Sequence, residues 1–298
     1  MLHAVNALAN IGQRWDLHRI QQLVKWTVYL LVFVNFCFYL YDDVTRASHA
    51  LHDESTIMDM LGSFATSSAV LAWLLLLAMF ELETYAIEDA EWNGWVARLV
   101  HGLRLACFLV IAHTVFAFAE WCWDLRVDQV VEPSRGACAL IDSDLSWTYN
   151  LEYWDITADN CEELSASGPV YRLGKDAVVT DAKGLRLERQ LALADVGEIV
   201  AWLIIILAME VMVRLQGKGV TDGPLMRRLK IVKYVLYGFL SCLALWWNSL
   251  GHTLYLWDTF LWIAGFAAIE MNLSEWRDEI LEERSQTQQQ ESAAAEST

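Results

Sequence analysis

Three glutamates recur in one pattern, in which a tryptophan and seven apolar residues precede the acid. The three segments are Trp73–Glu81, Trp202–Glu210 and Trp262–Glu270. An ionised carboxylate at the centre of a bilayer costs about 3 kcal/mol on insertion scales, so an acid that recurs beside apolar runs needs a partner or a function. The repeat therefore predicts three equivalent sites on three membrane helices.

Basic residues recur as well, in pairs six residues apart, and the second member of each pair lies at the depth expected for a glutamate. These second members are Lys25, Arg104 and Lys233. Ion pairs between helices would form a ring at the cytoplasmic side, acting as a gate or as a cation or proton relay. The same ring could also serve only to hold the helices together, and Glu210 can pair with Arg214 one turn along its own helix.

Apolar windows of about 20 residues predict the helices that carry these side chains. The composition agrees, since 56% of the 298 residues are hydrophobic and the mean hydropathy is +0.29. The predicted spans are Val24–Tyr41, Met60–Thr84, Leu99–Trp121, Ala192–Val213, Ile231–Leu250 and Leu254–Leu273.

Together these patterns predict an all-α polytopic membrane protein with six transmembrane helices in three pseudo-repeated hairpins. A small, partly β extracytoplasmic insert separates helices 3 and 4. The predicted segments are a cytoplasmic N-terminal stretch (1–22), helices 1–3 (23–121), the insert (122–190), helices 4–6 (191–274), and a charged helix with a disordered tail (275–298). The three-hairpin carriers of mitochondria need a proline in each odd helix, whereas Pro133, Pro169 and Pro224 all lie outside the predicted spans.

The distribution of lysine and arginine predicts the orientation, because short loops rich in these residues stay in the cytoplasm. Basic residues precede the first span and flank the loop between the fourth and fifth, whereas Arg46 follows the first span among several acids. Both termini are therefore expected in the cytoplasm. A bacterial inner membrane is the expected location, with the lipid bilayer as the first partner.

The insert has ordinary loop chemistry, and short strands with a hairpin are predicted at Val170–Leu173 and at Ala177–Glu188, the second stretch being interrupted by Thr-Asp-Ala-Lys-Gly at 180–184. It lies in a compartment expected to be oxidising, where Cys138 and Cys161 are candidates for a disulfide and Cys122 is a competing partner. Its acidic residues could attract cations or form a solvated surface; they include Asp142, Asp144, Asp155 and Asp159. Whether a metal binds is left open.

Several functional classes are disfavoured. The net charge of −17 argues against nucleic acid as a partner. His113 is the one histidine near the middle of a predicted span, so a haem would lack a second axial ligand, and no cofactor is expected. No familiar catalytic motif is present, which gives an enzymatic role no support.

Two functions remain after these exclusions. The first is a cation or proton channel or transporter gated by the ring of Glu and Lys or Arg. The alternative is a non-catalytic membrane subunit, scaffold or sensor that binds a partner through the insert or the tail. Assembly as a homo-oligomer or within a membrane complex is left open by the sequence.

Overall fold

A computed structural model describes residues 2–52, 55–81, 94–132, 134–218, 220 and 222–267, without the side chains of 2–21, 24–25, 80–81, 96–97 and 217. The described part of the chain is mostly helical, at 73%. The chain divides into two compact units: one contains residues 1–32 and 201–298, and the other residues 33–200.

Long apolar helices dominate the chain, as the hydropathy pattern predicts. They are α1 (Leu2–Ala50), α3 (Ala65–Glu81), α4 (Trp95–Asp124), α6 (Ala182–Gly217), α7 (Pro224–Ser249) and α8 (253–267), with the short α2 (Ile57–Ser63) before α3. In the described part of the chain, four helices are long and apolar enough to cross a membrane: Trp26–Ala50, Arg98–Asp124, Ala182–Gln216 and Pro224–Ser249.

A fifth candidate span is broken. Helices α2 and α3 pass the same test only together, and they meet at an angle of 66° around Phe64. A capping box between Thr56 and Asp59 fixes the start of α2. Asp59 N donates a hydrogen bond to Thr56 Oγ1, and Thr56 N donates one to Asp59 Oδ2. The predicted second span is therefore two helices instead of one.

The sixth predicted span, Leu254–Leu273, begins as α8 but extends beyond residue 267, where the description ends. Within its unit, α8 packs with the second half of α6 and with α7 around the buried residues Ile205 and Leu240. The rings of Trp202 and Phe266 stack in this core at 5.4 Å. Six spans and three repeated hairpins stay a prediction, while four or five candidate spans are observed.

The segment between α4 and α6 folds as a small mixed sheet. Its strands are β1 (Gln129–Glu132), β2 (Ser146–Tyr149), β3 (Glu152–Asp155), β4 (Val170–Arg172) and β5 (Val178–Asp181), with helix α5 at Cys161–Ser165. The strand order is β1-β4-β5-β2-β3; the pairing of β2 with β5 is parallel and the others are antiparallel. A small, partly β insert is thus present.

The predicted hairpin exists as β4 and β5, but the prediction of strand through Glu188 is wrong. Strand β5 ends at Asp181, whose Oδ1 accepts a hydrogen bond from Gly184 N at 2.6 Å and so caps the first turn of α6. Leu185 and Ala192 then lie on the same face of that helix and pack in one core. Alternating residues in Leu-Arg-Leu-Glu imitate a strand locally, although the sequence continues with helical spacing.

Two apolar clusters hold the insert. The inner cluster joins it to helix ends, because Leu173 and Val178 pack with Ala50 and Leu125. A backbone hydrogen bond from Ala177 N to Ala50 O (2.8 Å) reinforces this junction. The outer cluster surrounds Trp147, Val170 and Val179 and includes the disulfide cysteines. The insert is therefore packed directly onto the end of α1.

Candidate functional site

Charged side chains from three separate elements, and a tyrosine from a fourth, meet where the insert contacts the helices. We call Asp43, Arg46, Tyr153, Asp176, Glu188 and Asp195 the insert-side cluster. Arg46, near the end of α1, is its central residue: Nη2 lies 3.5 Å from Asp176 Oδ2 in the turn between β4 and β5. Its guanidinium also stacks over the Trp121 ring of α4, 4.9 Å from the centroid. Arg46 therefore links α1, α4 and the insert.

The cluster also supports the break between α2 and α3. Asp43 Oδ2 accepts a hydrogen bond from Ser67 N at 2.8 Å, and both residues are buried. Ser67 lies in the first turn of α3, where backbone N–H groups lack helical partners and a carboxylate is favoured. On the opposite side, the buried Thr114 hydroxyl donates to Ala65 O at 3.2 Å. Helices α1 and α4 thus satisfy the backbone of the broken span.

Glu188 is the most deeply buried acid of the cluster, with 3% of its surface exposed. Its carboxylate accepts hydrogen bonds from the backbone N–H groups of Asn150 and Leu151 and interacts electrostatically with Arg46. Within the described residues, Oε1 has no hydrogen-bond partner. The carboxylate of Glu188 is thus bound by backbone N–H groups, while its Oε1 atom is buried with neither a hydrogen-bond donor from the described residues nor full access to water.

The turn that holds Glu188 has an unusual backbone. Asn150 and Leu151 both have positive φ, 56° and 62°, between the paired residues Tyr149 and Glu152. Two such residues make the type I′ turn that suits the twist of a hairpin, and Asn-Gly is its preferred sequence. Leucine is disfavoured there, so Leu151 adopts a strained conformation whose N–H points toward Glu188.

Further acids extend along α6 from Glu188. Asp195 interacts electrostatically with Glu198, Arg46 and Glu188. Glu188, Asp195 and Glu198 are separated by seven and three residues, which places them along one side of the helix over a rise of about 15 Å. The acidic series therefore runs from the junction with the insert into the apolar part of α6.

Aromatic and histidine side chains cover the insert face of the cluster. His49 stacks on Tyr153 at 5.8 Å with the rings 10° from parallel, and His49 Nδ1 lies 3.0 Å from Ser146 Oγ. His49 Nδ1 is also 3.4 Å from Asp155 Oδ1. Lys175 Nζ contacts Glu120 Oε1 at 3.0 Å, so the insert is joined by an ion pair to α4 as well as to α1.

Burial shifts the proton equilibria of the cluster residues that lie in the insert. It raises the pKa of the Asp176 carboxyl, and the positive charge of Arg46 opposes that rise. Burial also raises the pKa of the Tyr153 phenol to about 12, again against the effect of Arg46. At neutral pH Tyr153 is therefore a neutral hydroxyl, and the carboxyl of Asp176 keeps its proton to a higher pH in the docked insert than it would in water.

The structure describes only some of the side chains of the predicted ring of Glu and Lys or Arg. Glu210 pairs with Arg214 on its own helix, at 2.6 Å between Oε1 and Nε, which is the local alternative that the sequence allows. Lys233 is 2% exposed, with Nζ 5.3 Å from the centre of the Tyr234 ring. Arg104 and His113 are half-buried on α4. The ring stays a prediction, since the side chains of Lys25 and Glu81, and all of Glu270, lie outside the described residues.

The remaining predicted residues lie in the insert. Cys138 and Cys161 form the disulfide, which confirms that pairing, and Cys122 is a free thiol. The four acids proposed to attract cations are all exposed: Asp142, Asp144, Asp155 and Asp159. Over the described ranges, no three His, Cys, Asp or Glu side chains converge in an arrangement that could hold a metal ion.

Sequence reasoning missed the insert-side cluster, although it left signals. Arg46 is a base among acids after the first apolar run, and Glu188, Asp195 and Glu198 have helical spacing at the start of the fourth. The strand assigned to Ala177–Glu188 concealed that spacing. Contacts between Arg46 and Asp176, 130 positions further along the chain, have no local signature in the sequence.

Fold and site together define a class of protein: mostly helical, with apolar helices compatible with an integral membrane protein, and with a disulfide-bonded sheet insert docked on buried charges. No known protein family, curated protein or solved structure matches this chain.

Proposed function

We propose that the chain is a channel or transporter for protons or other cations in a bacterial inner membrane, with both termini in the cytoplasm. The observation that carries this proposal is the insert-side cluster. In it, one guanidinium, that of Arg46, interacts with the carboxylates of Asp43, Asp176, Glu188 and Asp195. Transport then begins at the junction of the insert with the helices.

The charge balance of the cluster favours the uptake of positive charge. Four ionised carboxylates around one arginine leave a net negative charge in a partly buried position, which is costly unless protons or cations enter. Acids that face the interior of a membrane protein mark ion or proton pathways by default. The acidic series on α6 gives the captured charge a direction, from the insert into the apolar part of the helix.

The broken span supports transport over a purely structural role. Transporters often place discontinuous helices beside their binding sites, because the free backbone groups at the break can meet a substrate. In this chain the break at Phe64 lies next to Asp43, an acid of the cluster, which bonds Ser67 N. If Asp43 bound a proton or cation instead of Ser67 N, the start of α3 would lose its partner on α1. The charge of Asp43 would in this way be coupled to the angle between α2 and α3.

The repeated glutamates complete the proposal as its cytoplasmic gate. In this hypothesis Glu81, Glu210 and Glu270 pair with Lys25, Arg104 and Lys233, and protonation of a glutamate breaks its pair. The contact between Glu210 and Arg214 supplies a competing partner for one member of the ring.

A second candidate function is a membrane subunit or sensor that binds a partner through the insert. Strand β1 favours it, because β1 lies at an edge of the sheet and exposes Val130 (52%) and Val131 (39%). An exposed edge strand can pair with a strand of another protein.

Flux through purified protein in liposomes tests the proposal. We expect a pH or cation gradient to drive flux in the wild type, and Glu188→Gln combined with Asp195→Asn to reduce it. Glu163→Gln, an exposed acid on α5, is the matched control and should leave flux unchanged.

The variant carrying Glu81→Gln, Glu210→Gln and Glu270→Gln tests the gate separately. Altered flux in correctly folded protein supports the ring as a gate, and unchanged flux reduces the ring to a structural role. Wild-type protein that carries no proton or cation under either gradient overturns the transport proposal and leaves the binding function.

A further inference from the structure

Glu188 combines three features that together point to a ligand. It is 3% exposed, its Oε1 has no partner among the residues that the structure describes, and its carboxylate is bound by two backbone N–H groups of one turn. A buried ionised carboxylate with an unpaired oxygen is incompletely solvated. The smallest ligand that removes this penalty is a proton on Oε1.

The groups that face Glu188 come from every element packed against it. Arg46 of α1 favours the ionised form of Glu188, and Asp195, on α6 itself, is a second acid that interacts electrostatically with Glu188. Tyr153 of β3 contributes a neutral phenol at neutral pH. Asp176 shares Arg46 with Glu188, and this divides the stabilisation that one guanidinium can give. Arg46 thus compensates Glu188 only in part.

A metal ion fits this arrangement poorly. The acids of the cluster are spread along α1, α6 and the β4–β5 turn, and throughout the described ranges no three potential ligands converge as a metal requires. A proton needs only one oxygen. The chemical class of ligand that suits Glu188 is therefore the proton.

We propose that Glu188 is a proton-binding site whose occupancy is coupled to docking of the β2–β3 hairpin. This inference deepens the proposed function by naming its substrate as the proton. The step is a simple protonation, in which a proton from water on the insert side forms an O–H bond at Oε1 and the carboxylate becomes neutral.

Coupling follows from the difference between the docked and undocked states. While the hairpin is docked, Glu188 is shielded from water and its neutral form is favoured. Once the hairpin lifts, the carboxylate meets water and its ionised form is favoured. Proton binding therefore stabilises the docked state, and proton release accompanies opening. Leu151 makes opening easier, because its positive φ is strained as long as the turn is held.

Amide hydrogen exchange of the β2–β3 hairpin (146–155) in full-length protein in nanodiscs tests this coupling. After correction for the intrinsic rate, opening should increase as the pH rises through the titration, by up to about tenfold per pH unit for one linked proton. Glu188→Gln, which stays neutral, should keep the hairpin closed and lose most of this pH dependence. Glu163→Gln should behave as wild type.

Infrared difference spectroscopy across the same pH range identifies the titrating group. We expect a protonated carboxyl band in the wild type and in Glu163→Gln, and its loss in Glu188→Gln. Arg46→Gln should move the band to higher pH, because removing the positive charge favours the protonated acid. A contact that serves only to hold the hairpin would not produce that displacement.

Two outcomes overturn the inference. One is exchange in the wild-type hairpin that is independent of pH, a result that does not require any variant to fold. The other is an unchanged carboxyl band in Glu188→Gln. Failure of the proposed function is distinguishable: a Glu188 that titrates as described in a protein that carries no proton flux retains the proton site and rejects transport.

Discussion

The insert-side cluster and the Glu210–Arg214 pair near the C-terminal end of α6 use the same kinds of charge in different surroundings. Arg46 and Asp176 are 130 residues apart in the chain, and their side chains are 29% and 18% exposed. Glu210 and Arg214 are one helical turn apart and 53% and 74% exposed. The first pair depends on tertiary packing, whereas the second forms wherever the helix forms.

The pair that is easy to see in the sequence is therefore not the pair on which the structure depends most. A local pair on an exposed helix face contributes little, because both groups remain solvated when it breaks. A pair between distant elements leaves a buried charge without compensation when one partner is removed. We therefore expect mutations in the insert-side cluster to destabilise the protein more than mutations of Glu210 or Arg214.

Arg46→Gln should have the largest effect on docking of the insert. Truncating one partner of a buried pair costs about 3–5 kcal/mol, and the partial exposure of Arg46 and Asp176 reduces our expectation to about 2 kcal/mol. Hydrogen exchange of insert amides measures this loss as faster local opening. Arg135→Gln is the control: Arg135 is 75% exposed, and its partner Glu132, although 10% exposed, keeps hydrogen bonds from Ser134 N and Arg135 N when the guanidinium is removed. Equal effects of the two variants would remove the distinction between buried and exposed pairs.

Leu151→Gly should stabilise the hairpin that holds Glu188. A left-handed conformation such as that of Leu151 costs about 1–2 kcal/mol for residues other than glycine. Glycine removes this cost but loses about 0.5–1 kcal/mol more in backbone entropy on folding. We therefore expect the hairpin to be stabilised by less than about 1 kcal/mol. The measurement is the free energy of hairpin opening at fixed pH. Leu151→Ala loses the same side chain but keeps the strain, and a gain in Ala as large as in Gly would contradict the account.

The raised pKa of Asp176 predicts the direction of pH dependence. Because the docked state binds this proton more tightly than an exposed aspartate does, docking should strengthen as the pH falls through the folded-state pKa and level off below the ordinary aspartate range. Asp176→Asn should remove this contribution while the contribution of Glu188 remains. Unfolding of the insert followed across acidic pH measures it, and docking that weakens steadily on acidification would contradict the assignment.

The sequence predicts the class of fold well, because hydropathy depends only on local composition. Apolar runs locate the candidate spans, and the expected oxidising compartment makes Cys138 and Cys161 candidates for a disulfide, although Cys122 in the same predicted insert is a competing partner. The same local reasoning is correct for the strand at Val178–Asp181 but wrong at Leu185–Glu188, where four alternating residues suggest a strand and the structure has a helix. Asp181 caps the helix instead, and the sequence that follows keeps its apolar residues on one helical face.

The site is harder to predict, because its residues come together only through the sheet. Parallel pairing of β2 with β5 sets the β2–β3 hairpin beside the β4–β5 hairpin, and Tyr153 and Asp176 both interact with Arg46. Neither pairing partner carries a motif. The turn at Asn150 and Leu151 lacks the glycine that usually marks it, so the backbone that holds Glu188 is concealed as well.

Glu210→Gln should have the smallest effect on stability. A change in flux in this variant would therefore report on the predicted ring of Glu and Lys or Arg and not on loss of folding. An exposed pair at i, i+4 contributes about 0.3–0.5 kcal/mol, so losing the contact with Arg214 should scarcely change unfolding of the protein in detergent. Arg214→Gln removes the same contact and is the matched control. If Glu210→Gln alters proton flux while Arg214→Gln does not, the glutamate acts through a partner other than Arg214, as the predicted ring requires. Equal and negligible effects of both variants would confine Glu210 to its local pair and leave the insert-side cluster as the region where charge controls the protein.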